Sequence, residues 1–115
     1  MSFRESGSNV KIVLRLKSGA LMVPPELDAG HVYHLFPVLT PQRDRFQQHM
    51  KDRGIETLIH YPVPIPRQPA LSGTNPAMCP VADRVCAEVV SLPVYPGLTD
   101  AAVAEVGVAA AAFRP

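Results

Sequence analysis

Hydrophobic and polar positions alternate along residues 10–17, VKIVLRLK, with Val10, Ile12, Leu14 and Leu16 on one side and Lys11, Arg15 and Lys17 among those opposite. A period of two belongs to a half-buried strand, and a strand is predicted there. The following SGALMVPPELDAG is broken by Gly19, Pro24, Pro25 and Gly30, so it reads as a connection with a short extended piece at Ala20 to Val23. HVYHLFPVL, rich in β-branched and aromatic residues, predicts a strand from about His31 to Leu39. Pro37 places that strand at an edge or a bulge, because proline donates no ladder hydrogen bond.

A helix is predicted over 41–53. Thr40 and Pro41 supply a cap and a first-turn proline, Lys51 and Arg53 lie in the last turn, and Gly54 follows as the stop. Its apolar stripe is only Phe46 and Met50, so one narrow face is buried. Ile55 to Ile59 reads as a third strand. In the stretch after Pro80, Ala82, Val85, Cys86, Val89 and Val90 recur at helical spacing, predicting a helix over about 80–89. SLPVYPGL is then extended, and Thr99 caps a last helix with Val103, Val106, Ala110 and Phe113 on one face. Gly107 and the alanine run predict weak packing and fraying at its end. The order of elements gives an α+β (α/β sandwich-like) fold, with a small sheet of three to four short strands covered by about three helices.

At 115 residues the chain is long enough for one core and too short for two ordinary domains. Charged residues are 18% of the chain and hydrophobic ones 47%, which excludes disorder as its overall state. A formal net charge of +1 and the lack of any basic block exclude nucleic acid as a partner. No apolar run is of membrane-spanning length and no leader pattern opens the chain, so a soluble, cytoplasmic protein is expected. Cys79 and Cys86 have no histidine pair at metal spacing near them and read as two reduced, partly buried thiols, with Cys86 on the core face of its helix.

Candidate chemistry gathers in GIETLIHYPVPIPRQPA, residues 54–70. An apolar run ends in His60 and Tyr61, and Pro62, Pro64, Pro66 and Pro69 follow. Each proline fixes φ and lowers the entropy lost on ordering, so the loop either presents the two rings to a ligand or is a stiff surface connection. Arg67 reads as a solvated charge, His34 as a structural histidine on its strand, and His31 and His49 as surface residues. Arg43 and Asp44 fall in the first turn of their helix with structural roles, and Tyr95 is expected to pack beneath the last helix.

Four pieces in order, HVYHLFPV, the Arg43-Asp44 pair, GIETLIHYPVP with QPA shortly after, and SLPVYPGLT, resemble the C-terminal small domain of nucleotide-sugar aminotransferases of the DegT/DnrJ/StrS type. The resemblance covers residues 31–113. It implies a fold-type I, pyridoxal-phosphate-dependent family in which a large N-terminal domain carries the cofactor lysine and the small domain closes over the site at a homodimer interface. Residues 20–115 would be that small domain, and residues 1–19 a non-family segment with one strand.

By the same resemblance His60, Tyr61 and Gln68 are substrate-binding residues, with His60 and Tyr61 toward the diphosphate of a nucleotide sugar. The family pattern of a further histidine and tyrosine in this loop is replaced by Pro66 and Leu71. Lys11, Lys17 and Lys51 match no cofactor-lysine motif, so no catalytic residue is assigned and the chain alone is expected to hold no pyridoxal phosphate. The reading is a truncated aminotransferase domain, inactive by itself, that associates with itself or with a separate large-domain polypeptide. A non-catalytic interaction module and a gene remnant of the same family are the alternatives.

Overall fold

The computed structural model describes residues 20–25, 27, 30 and 33–115. The strand predicted over 10–17, the segment 1–19, Lys11, Lys17 and His31 lie outside the described residues. The elements are β1 (Phe36–Leu39), α1 (Arg43–Lys51), two short 3-10 turns (Ile65–Arg67 and Pro69–Leu71), α2 (Pro80–Glu88), β2 (Val89–Leu92) and α3 (Asp100–Ala111).

β1 and β2 pair antiparallel, Phe36 opposite Leu92 and Leu39 opposite Val89. Single antiparallel bridges flank this pair, Met22 with Leu39 on one edge and Leu58 with Ser91 on the other. Among the described residues four extended pieces thus lie side by side and the inner two form strands, where three to four strands were expected over the chain.

Proline accounts for both short edges. The Leu39 N–H donates to Met22 O, and alternate residues of a strand point their N–H groups the same way, so Pro37 faces that edge with no donor to extend the ladder. At the other edge Leu58 and Ser91 exchange both backbone hydrogen bonds. Continuing that register sets Glu56 opposite Pro93, which has no N–H, and His60 opposite Val89, whose N–H is already given to Val85 O. The strand predicted at Ile55 to Ile59 is therefore reduced to one bridged residue. Similarly the strand predicted from His31 begins only at Phe36 among the described residues, and His34 lies exposed before it rather than within it.

α1 is shorter than predicted by about a turn and does not start at the expected Thr40-Pro41 pair: Gln42 occupies its N-cap with no side-chain cap hydrogen bond, and the buried Thr40 Oγ1 accepts from the Gln42 N–H in the turn ahead of the helix. At its end Gly54 takes φ +74°, Gly54 N donates to Lys51 O and Ile55 N to Met50 O, closing the helix with a left-handed glycine. Phe46 and Met50, both 0% exposed, enter the core with Phe36, Val38, Val90, Leu92, Val103, Val106 and Phe113.

α2 starts at its proline as predicted but buries no residue completely, and Val89 and Val90 leave the helix to become strand. The predicted core face was mixed from two elements. α3 is capped by Thr99, whose Oγ1 accepts from the Ala102 N–H, and Val103, Val106, Ala110 and Phe113 are all buried. Its end is held rather than frayed. The Phe113 ring meets the edge of Phe46 at 5.2 Å, and His49 Nε2 donates to Ala109 O at 2.7 Å. His49, expected on the surface, is half-buried between α1 and α3. Tyr95, expected under α3, is 58% exposed and lies against Gly97.

Candidate functional site

The His60 loop leaves the sheet at the Leu58–Ser91 bridge. Two residues beyond Leu58, His60 Nδ1 lies 3.0 Å from Ser91 Oγ, and Ser91 is 5% exposed on the all-buried β2. The half-buried imidazole is therefore fixed from beneath. Tyr61, joined to His60 by a cis peptide, is 73% exposed, and the two rings meet edge to face with centroids 6.0 Å apart. The structure brings His60 and Tyr61 together at the surface and anchors only the first.

Gln68, the third predicted site residue, does not join them. Its Nε2 donates to Val63 O at 2.9 Å, closing the loop on itself. Both 3-10 turns continue that bracing, with Arg67 N donating to Pro64 O and Leu71 N to Gln68 O. Arg67 is not simply solvated. Its Nε and Nη2 donate to the two carboxylate oxygens of Asp83 at 3.2 and 3.1 Å, tying the loop to the first turn of α2. That hydrogen bond, more than bare charge attraction, holds the Asp83 carboxyl below the usual carboxylate range and raises Arg67.

Ser91 is the site residue that sequence reasoning missed. The one signal for it is a lone hydroxyl in the apolar run VVSL, and that pattern does not reveal a partner 31 positions away.

A separate cleft lies at the ends of α1 and α3, lined by Arg45, His49, Asp52, Arg53, Phe113 and Arg114, and shares no residue with the His60 loop. Its charges are largely committed to helix ends: Arg53 donates to His49 O and Arg114 to Ala111 O and Phe113 O. Among the described residues no cluster of three or more His, Cys, Asp or Glu is placed to hold a metal ion, and no helix is long and apolar enough to cross a membrane. Cys79 and Cys86 are free and half-buried.

The fold defines a class first: a small α+β unit of the kind found in fold-type I aminotransferases. S. venezuelae DesV, solved in complex with a ketimine intermediate, superposes with a TM-score of 0.84 over 97% of this chain and 32% of its own, at 32% identity. A dTDP-3-amino-3,4,6-trideoxy-alpha-D-glucose transaminase of Streptomyces venezuelae is 44% identical over 73 residues, 62% of this chain and 19% of its own length. A dTDP-3-amino-3,6-dideoxy-alpha-D-galactopyranose transaminase of Aneurinibacillus thermoaerophilus is 42% identical over 69 residues, 60% of this chain and 19% of its own. The model of the DegT/DnrJ/EryC1/StrS aminotransferase family matches residues 13–110, and the chain belongs to that family. It spans about a fifth of the length of these curated relatives.

Proposed function

We propose that the chain is the small, substrate-facing domain of a cytoplasmic nucleotide-sugar aminotransferase, in which an amino group passes to a keto sugar carried on a nucleotide. The observation that carries this is the pairing of a family match over residues 13–110 with an anchored His60 beside an exposed Tyr61. A ring N–H and a phenol hydroxyl at one surface point suit the anionic oxygens of a diphosphate. Gln68 contributes by holding the loop closed rather than by touching the sugar, given its bond to Val63 O.

Pyridoxal phosphate would supply the amino-group chemistry, but the described residues do not fit it. Lys51, the one lysine among them, is exposed in the last turn of α1 and does not line the cleft there. The cofactor would be held by the large domain of the aminotransferase, and the described residues shape the pocket without moving protons. Tyr61, Val63 and Ile65 on the loop and Met78 and Val81 at α2 are exposed apolar side chains that support association with such a domain or with a second copy.

The test uses a complex with a lysine-bearing large domain. His60→Ala and Tyr61→Phe are each expected to weaken nucleotide-sugar binding about tenfold to a hundredfold, the effect of one hydrogen bond to a charged group, while Tm stays nearly constant. Unchanged affinity with a lowered Tm would make the loop scaffolding. Sedimentation at micromolar concentration checks association of the chain alone, where a clean monomer argues against self-association.

A further inference from the structure

Ser91 meets the loop three times. Its N–H donates to Leu58 O at 2.7 Å, its carbonyl accepts from Leu58 N at 3.2 Å, and its Oγ reaches His60 Nδ1 at 3.0 Å. One residue of β2 thus sets both the point where the loop leaves the sheet and the rotation of the ring that follows.

The direction of the side-chain bond follows from counting donors. A serine hydroxyl has one proton to give, and at 5% exposure that proton needs an acceptor, since an unsatisfied buried donor costs more than an unused lone pair. Among the described residues Ser91 Oγ has His60 as its partner and no other. Hence Oγ–H donates and Nδ1 accepts. A neutral imidazole that accepts at Nδ1 carries its proton at Nε2. Nε2 has no partner among the described residues and is not a buried orphan, so its N–H is offered to solvent.

We infer that Ser91 is a positioning residue, which holds His60 in the Nε2–H tautomer and presents that N–H as a fixed donor for an oxyanion. The purpose of the donor rests on the reading of His60 as a diphosphate contact, but the tautomer does not. With Nδ1 protonated instead, the outward nitrogen would be an acceptor, which repels a phosphate oxygen. Placing the serine on a strand buried on all four residues fixes the position of the hydroxyl that the ring meets.

The experiment is nitrogen-15 NMR of the histidine-labelled full 115-residue chain at neutral pH, with Ser91→Ala and Ser91→Thr alongside. His60 is expected to show its proton on Nε2 in the native chain, to share it over both nitrogens in Ser91→Ala, and to regain the native pattern in Ser91→Thr. Amide protection at Leu58 should stay the same in all three, because the backbone bridge is kept. A native proton on Nδ1, or populations that ignore Ser91→Ala, overturns the positioning role. Pyrophosphate added to the same samples separates the two claims. It is expected to shift the Nε2 resonance of the native chain and to shift it less in Ser91→Ala. If the tautomer is as expected and pyrophosphate leaves it untouched, the diphosphate contact falls and the control of the ring by Ser91 stands.

Discussion

Arg43 Nη1 donates to the backbone carbonyl of Cys86 at 2.6 Å, joining the first turn of α1 to the last turn of α2 across 43 positions of sequence. The same nitrogen lies 3.4 Å from Val89 O, at the point where α2 gives way to β2, and Nε is buried with no partner among the described residues. Arg43→Ala leaves two carbonyls to water or to nothing. It is expected to lower stability by about 2 kcal/mol, the range for a hydrogen bond to a charged group. Arg43→Lys, with one point charge in place of a fork, should recover only part of that. Midpoints of urea unfolding measure both, and a neutral Arg43→Ala would show that the link carries no net energy.

His49 clamps the end of α3. With Nε2 donating to Ala109 O, its Nδ1 accepts from Arg53 Nη1 at 3.1 Å, and its ring lies edge-on to Phe113 at 5.3 Å. His49→Ala is expected to cost about 1 to 2 kcal/mol through the lost hydrogen bond and ring contact. Hydrogen exchange should rise first at Ala112 and Phe113, whose N–H groups close the last turn. Uniform acceleration over the whole chain would instead indicate a global role.

Phe46 sits between sheet and helix with 0% exposure. Truncation to alanine should cost roughly 3 to 5 kcal/mol, with Met50→Ala at about 2 to 5, since each opens a cavity that flanking helices fill incompletely. Thermal unfolding of the two variants checks the order of magnitude, and Met50→Leu, which keeps volume, should lose less than about 1.5 kcal/mol.

The Arg67–Asp83 tether has a defined pH sense. Asp83 is depressed in the folded chain, so its contribution is complete above the unfolded carboxylate value of 3.8 and fades as pH falls through the lower folded value. Amide protection at Arg67 and Gln68, the donors of the Ile65–Arg67 turn, is expected to fall in that acid window and with added salt, because the pair is open to solvent. Asp83→Asn should remove the acid dependence. Persistence of the transition in that variant would place its origin elsewhere.

Local signals specified the helices well. Gly54, Pro80 and Thr99 each act at a helix end as their chemistry requires, whereas Thr40 braces the turn ahead of α1, and the stripes of Phe46 with Met50 and of Val103, Val106, Ala110 and Phe113 are buried. Those features depend on neighbours within one or two turns, so the chain order alone determines them, as it does the motifs that mark the family. Tertiary structure decided the rest. Ile55 to Ile59 has strand composition, but a strand needs free N–H donors opposite it, and Pro93 has none while that of Val89 is given to Val85 O. Val89 and Val90 fit a helical period, but the sheet claims them. His49, Ser91 and Arg67 acquired their roles from partners 60, 31 and 16 positions away. A side chain's periodicity records which face it prefers, whereas its hydrogen-bond partner is whatever the fold leaves unsatisfied within reach, and only the packed chain fixes that.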